Sequence, residues 1–302
     1  MMLYKPRTKP SELSLLKALD TRMNLSEQDK QHLANMAKGY EGECLFDARA
    51  ALLQNECFIL NDLLLPYNNS VFQIDSLILL SDALYLIEVK NFSGDFYYEH
   101  EKWYRTPHSE LADPLLQLGR SESLLRRLLK DLGCRIPLTT LVVFINPEFT
   151  LYQAPRNKPF ILPTQLNSFF RRLDRLPSKL TDSHRQLASR LAQLHLTESP
   201  YQRLPTYEFD QLNKGISCPQ CLTLGVVMDR NDAICLRCGH IEPIDAAILR
   251  CVKEFQLLFP EQKISTNRIH DWCKVIESKR TIRRVLSQNF MKVGVRQWTY
   301  YE

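Results

Sequence analysis

The chain has 302 residues, enough for about two domains, and its 44% hydrophobic and 24% charged residues are the mix of a folded protein rather than a disordered one. No apolar run reaches the roughly 18 residues of a membrane span, and Met1–Arg7 lacks the apolar core of a secretory signal. A cytoplasmic protein with no membrane partner is expected. The net charge of +5 is concentrated at one end: residues 246–302 hold eleven Lys/Arg against five Asp/Glu, and everything before them sums to −1. Nine glycines form no Walker or dinucleotide-binding pattern.

The spacing of apolar residues predicts a helix over 11–20 and a longer one over 27–54, with Ser26 as N-cap and Asp29 three residues on. Three extended runs follow at 57–65, 71–80 and 84–90, separated by turn-like Pro66–Ser70 and Ser81–Ala83. A small hairpin fits 95–98 and 102–105. Asp113-Pro114 opens an amphipathic helix over 114–132, a cap followed by proline at the first helical position. Residues 138–145 (LTTLVVFI) read as a strand buried on both faces. Helices are predicted at 163–173 and 179–196, a linker at Pro205–Gly215, and three more helices at 245–258, 265–276 and 279–290.

Glu88-Val89-Lys90 ends the third strand, so Glu88 and Lys90 share one face while Val89 points to the core. A hairpin would bring Asp75 of the preceding strand beside them. Two converging carboxylates repel unless a cation sits between them, and a hard divalent cation such as Mg²⁺ (or Mn²⁺) suits that donor set. A neighbouring lysine could orient a water or offset charge on a phosphodiester. A solvated salt bridge at a sheet edge is the other reading of the same residues.

Four cysteines form two tight pairs, Cys218/Cys221 and Cys235/Cys238, with thirteen residues between them. That spacing fits a closed tetrahedral Zn²⁺ site of structural type. Gly239 follows the second pair, where a tight knuckle needs a permissive backbone, and His240 is a rival ligand made redundant by four thiolates. The unit resembles a zinc ribbon. An odd total of nine cysteines argues against a disulfide framework.

Glu41-Gly42-Glu43, Gln73-Ile74-Asp75, Ile87 to Gly94 and Asp113-Pro114-Leu115-Leu116-Gln117 together resemble the NERD (nuclease-related) domain of the PD-(D/E)XK nuclease superfamily. The resemblance covers roughly residues 36–150. It implies Asp75, Glu88 and the Val89 carbonyl as metal ligands and Lys90 as the catalytic lysine. Glu43 would complete the metal site, Gln117 would support it or touch substrate, and Gln73 is a weaker candidate. The implied fold is a mixed central sheet flanked by helices.

The basic tail resembles a winged helix-turn-helix, with Lys279, Arg280, Arg283 and Arg284 on the helix that would read a major groove and a small hairpin over 291–302. The expected organisation is therefore a helical extension (1–35), a nuclease-like domain (36–150), a helical segment packed on it (151–204), a linker (205–215), a zinc ribbon (216–244) and a basic helical domain (245–302). The expected function is a Mg²⁺/Mn²⁺-dependent DNA endonuclease or nickase, in repair or in defence against foreign DNA. Alternatives are a non-catalytic nucleic-acid-binding protein that retains the fold, and an RNA-directed nuclease. Cutting both strands would require a homodimer or two successive nicks, and an unidentified protein partner stays open.

Overall fold

The apolar runs between residues 58 and 90 pair as three long strands of one larger sheet. In the computed structural model, which describes residues 1–107, 109–295 and 298–302, the chain begins with β1 (Met2–Lys5), α1 (Ser11–Arg22) and α2 (Glu27–Ala50). Strands β2 (Phe58–Tyr67), β3 (Ser70–Leu79), β4 (Leu84–Lys90), β5 (Gly94–Glu99), β6 (Lys102–Arg105) and β7 (Ser109–Leu111) follow. Next come α3 (Pro114–Asp131), β8 (Leu138–Phe144), β9 (Phe149–Tyr152), β10 (Phe160–Ile161), α4 (Leu166–Arg175) and α5 (Asp182–Gln193). The last part contains β11 (Val226–Asp229), β12 (Asp232–Cys235), β13 (Ile241–Pro243), α6 (Ile244–Leu258), α7 (Thr266–Cys273), α8 (Lys279–Asn289), β14 (Lys292–Val293) and β15 (Tyr300–Tyr301).

Two units share this chain. The first consists of Met1–Pro10 with Asn35–Tyr201, the second of Ser11–Ala34 with Gln202–Glu302. In the first, a mixed six-stranded sheet has the order β1-β2-β3-β4-β8-β10, and a four-stranded sheet has the order β7-β6-β5-β9. β2, β3 and β4 are antiparallel neighbours, whereas β4 and β8 run parallel. A parallel pair needs a long crossover, and α3 supplies it. Leu118, Leu125, Leu128 and Leu129 of α3 and Leu187, Ala188 and Leu191 of α5 are buried on one face of the large sheet. Phe46 and Ala50 of α2 and Leu166, Phe169 and Leu173 of α4 are buried on the other. The architecture is mixed α/β, as expected.

The alternation of buried side chains slips once in each of β2 and β3. Phe58 and Leu60, then Leu63 and Leu65, face the α3 layer from β2; Phe72 and Ile74, then Leu77 and Leu79, do so from β3. A strict period of two cannot hold across either gap. The slip falls at Asn61-Asp62 and at Asp75-Ser76. Asp62 has φ +53°, a conformation uncommon for a residue with a side chain. The buried Ser76 hydroxyl donates to Asn61 Oδ1 at 2.8 Å, which satisfies two polar groups at the break.

The observed elements correct several boundaries. α2 ends at Ala50, short of 54, because Asp174 of α4 accepts the backbone N–H groups of Gln54 and Asn55 at 2.8 and 3.1 Å. Residues 151–204 include β10 and the end of β9 besides two helices. Segment 1–35 does not act as one extension: β1 pairs with β2, while α1 lies in the second unit. Residues 205–215 are not a bare linker, because Phe209 and Leu212 are buried in the second unit's core.

That core joins Leu15 and Leu19 of α1 to Ile248, Val252 and Phe255 of α6, Ile269 and Trp272 of α7, and Ile282, Val285 and Leu286 of α8. β11, β12 and β13 form a small antiparallel sheet, and β14 pairs with β15. Ile264 bridges to Tyr301, which ties the segment between α6 and α7 to that hairpin. Arg296 and Gln297 of the expected hairpin over 291–302 lie outside the described residues.

Arg22, fully buried, binds the second unit together. Its guanidinium pairs with Glu254, donates to the Asn213 and Gly215 carbonyls at 2.7 and 3.0 Å, and stacks 3.7 Å over Trp272. Removing a buried charge that satisfies so many groups leaves an unpaired carboxylate and bare carbonyls, at a cost of about 3–5 kcal/mol. Arg22→Ala is expected to destabilise the second unit by that much, measured by denaturant unfolding followed through Trp272 fluorescence.

Candidate active site and a four-cysteine cluster

The β3–β4 ladder ends at Ser76 opposite Ile87. One residue further, the same register sets Asp75 opposite Glu88. Here the strands stop exchanging backbone bonds: Asp75 Oδ2 accepts the Val89 N–H at 2.8 Å instead. On the other side, the β2–β3 register brackets Asp62 opposite Asp75. Three acids thus lie in a row across β2, β3 and β4. Asp75 and Glu88 are 5% and 2% exposed.

Lys90 follows Glu88 by two residues and shares its face, and its Nζ donates to Glu88 Oε1 at 2.6 Å and to Gln117 Oε1 at 3.0 Å. Val89 between them is buried in the α2/α4 layer. Gln117 arrives because α3 starts where it does. Asp113 caps the helix by accepting the Leu115 N–H at 2.9 Å, Pro114 occupies the first turn, and Ser121 Oγ donates to the Gln73 carbonyl at 3.2 Å.

Glu43 comes from α2. Its neighbour Gly42 is required by packing, since a Cβ there would collide with Cβ of Asn91. Asn91 in turn donates to the Lys38 carbonyl at 2.8 Å and accepts from Asn146 at 3.0 Å, fixing α2 against the ends of β4 and β8. Glu43 Oε2 pairs with Arg7 Nη1 at 2.5 Å. Asp47, one turn further along α2, takes Arg7 Nε at 2.8 Å and Nη2 at 3.1 Å.

Burial governs the acid–base state of these groups. It pushes the Glu43 carboxyl up to about 8, with the charge of Asp75 adding to the effect and Arg7 opposing it. Glu88 is pushed up to about 7 by burial and then by Asp75, against the pull of Lys90. Asp75 is raised by burial despite the Val89 N–H. Arg7 is held above its ordinary range: burial opposes this, but Asp47 and Glu43 outweigh it.

The structure therefore brings Asp75, Glu88, Lys90 and Gln117 together, touches Val89 through its N–H, and joins Glu43 to Arg7. Gln73 is exposed, with its Nε2 3.3 Å from Asp62 Oδ1, so its side chain serves the rim. Sequence reasoning missed Arg7, Asp47 and Asp62. Asp47 was legible as a second acid four residues after Glu43 on one helix face; Arg7 carried no local signal.

The donor set here is all hard oxygen, buried and short of positive charge, which fits a hard divalent cation. Among the described residues, however, only the cysteines bring three or more ligand atoms within 4.8 Å of one another. Mg²⁺ is compatible with that spread, since it is usually held by one or two carboxylates and completes its octahedron with water and phosphate oxygens.

Cys218, Cys221, Cys235 and Cys238 form a cluster that could hold a metal ion. Cys218 and Cys238 Sγ are 3.6 Å apart, Cys221 and Cys235 3.5 Å. Four thiolates on a tetrahedral zinc, each bonded at about 2.3 Å, would lie about 3.8 Å apart. The two pairs are built alike. Leu222 N–H donates to the Cys218 carbonyl and Gly239 N–H to the Cys235 carbonyl, both at 2.9 Å. Both turning residues have positive φ, +58° at Leu222 and +71° at Gly239. His240 contributes its carbonyl to the Cys235 N–H. The Cys235 thiol is pulled down to about 6, above all by the N–H of Cys238.

The helix–sheet–helix layering is that of a mixed α/β domain, consistent with a nuclease-like core. Residues 38–145 match the family model of the nuclease-related domain, NERD. No curated protein and no solved structure matches the chain. Among the described residues no helix is long and apolar enough to cross a membrane.

The raised carboxyls make stability depend on pH in the metal-free protein. A carboxyl raised from 4.5 to about 8 favours the folded state most below pH 4.5, and that contribution is lost as pH rises through 8. The metal-free first unit is therefore expected to melt several degrees lower at pH 8 than at pH 5. Glu43→Gln should flatten that dependence, as read by calorimetry in chelator.

Proposed function

We propose that the chain is a metal-dependent nuclease that hydrolyses phosphodiester bonds in DNA. The observation that carries this reading is the meeting of two buried carboxylates, Asp75 and Glu88, with Lys90 held between Glu88 and Gln117. A structural salt bridge would need neither the second buried acid nor the glutamine. Asp75 and Glu88, with the Val89 carbonyl and Glu43, would hold Mg²⁺ or Mn²⁺. Bound there, the cation would supply Lewis-acid stabilisation of the charge that develops on phosphate. Lys90 Nζ lies at the edge of the site, on a side chain 19% exposed. From there it can orient a water toward the scissile phosphate or offset charge on it. Gln117 fixes the lysine from the α3 side.

The second unit would bind the nucleic acid. The order α6, the Ile264 bridge, α7, α8 and the β14–β15 hairpin supports a winged helix-turn-helix reading, with α8 as the groove reader and the four cysteines holding a structural Zn²⁺. The four basic residues of α8 are not equivalent. Arg284 forms a two-pronged pair with Asp245 at 2.5 and 2.8 Å, and Lys279 donates to Asn267 at 2.9 Å. Arg280 and Arg283 are exposed, with no ion pair among the described residues. They are the phosphate or base contacts proposed for α8.

Cleavage of supercoiled plasmid, linear duplex and single strands in Mg²⁺ or Mn²⁺ tests the catalytic part. Lys90→Ala is expected to lower the rate by at least about 10²-fold with DNA binding retained. Tight DNA binding without cutting by the parent protein would favour a non-catalytic binding module. For the second unit, Arg280→Ala with Arg283→Ala should weaken binding and make log affinity less steep against log salt, by about one unit of slope for each phosphate no longer neutralised. Arg284→Ala should change it less.

A further inference from the structure

Arg7 lies in the loop after β1, outside every motif that marks the nuclease-like domain, yet its side chain is only 4% exposed. All three guanidinium nitrogens are engaged. Nε and Nη2 fork onto the Asp47 carboxylate, Nη1 meets Glu43 Oε2, and Nη2 also donates to the Asp75 carbonyl at 2.7 Å. One planar group therefore joins two acids a turn apart on α2 to the backbone of the residue that lies opposite Glu88. The carbonyl it takes lies at the slip in β3. Lys5, two residues earlier, takes the matching carbonyls of Asn61 and Asp62 in β2, both at 2.8 Å. Buried carbonyls without partners are costly. The two cations of the N-terminal segment thus satisfy what the irregular strands leave open, but only Arg7 also reaches the acids of α2.

We propose that Arg7 is a positioning residue of the acidic site, one that holds the Glu43 carboxylate in register with Asp75 so that the cation site is complete only with the N-terminal strand in place. The inference rests on the nuclease reading, with Glu43 as a cation ligand. A planar fork can lock two carboxylates and a carbonyl at once, whereas an ammonium is a point charge with no fixed plane. Ligands held in advance bind a cation without a further ordering cost. Glu43 Oε2 is taken by Arg7, which leaves its other oxygen for the cation. Lys5 is the natural control, since it anchors the same strand without touching Glu43.

The test uses the full chain with Mn²⁺ alone, titrated calorimetrically, in parallel with thermal melts in chelator. Asp75→Asn identifies the site by abolishing the binding. Arg7→Gln and Arg7→Lys are each expected to weaken Mn²⁺ binding about tenfold, Asp47→Asn to weaken it less, and Lys5→Met to leave it within about twofold. Failure of Arg7→Lys to rescue, despite its charge, is the signature of positioning. Should Arg7→Gln not fold, Arg7→Lys decides. Parent-like affinity in the Arg7 variants overturns the proposal. Tighter binding does so too, and would mark the guanidinium as a competitor of the cation. An equal loss in Lys5→Met would reduce Arg7 to a strand anchor. Absence of any Asp75-dependent Mn²⁺ binding in the parent is a separate result, which overturns the metal-dependent reading and this proposal with it.

Discussion

Two carboxylates taken out of water beside each other are the constraint around which the first unit is organised. Each would be expensive to ionise alone in that setting, and the pair more so. The groups that compensate come from separate places in the chain. The Val89 N–H meets Asp75 directly, Lys90 meets Glu88 from the same strand, and Arg7 meets the Asp75 carbonyl from the N-terminal loop. Compensation is incomplete, as the raised carboxyls of Glu43 and Glu88 record. Buried oxygen groups of this kind are the donor set that suits a hard divalent cation.

Much of this was legible in the sequence because it rests on local rules. A period of two puts Glu88 and Lys90 on one face, Asp113-Pro114 starts a helix, and Asp75 needs only a short hairpin to meet Glu88. Gly42 is a different case: its motif was visible, but its cause, the close approach of the distant Asn91, was not. Arg7 and Lys5 were illegible for a stricter reason. Their contacts with strand carbonyls exist only because β2 and β3 slip together at Asp62 and Asp75 and leave those carbonyls open. That slip is a property of paired strands, and neither strand announces it alone. The linker expected at 205–215 failed in the opposite sense, because Phe209 and Leu212 are too few and too scattered to make a periodic pattern and still find a core.

The second unit shows how little sequence a cluster of four thiols requires. Two turns of the same build, each closed by a hydrogen bond onto the first cysteine of its pair, bring four thiols within 4.8 Å of one another. One turn uses glycine at the left-handed position and the other leucine. The leucine version carries a backbone cost of order 1 kcal/mol, which the surrounding fold must outweigh.

The order in which the chain visits its two units has a consequence for synthesis. Ten residues go to the first unit, the next twenty-four to the second, and only after Tyr201 does the chain return to complete the second. A ribosome therefore releases α1, with Leu15, Leu19 and Arg22 destined for burial, long before Phe255 and Trp272 exist to cover them. Throughout that interval the nuclease-like sheet can form while α1 waits as an amphipathic segment with nothing to bury against. Truncations placed at the apparent boundary near residue 205 would separate α1 from its core, so neither half would be the unit its sequence span suggests.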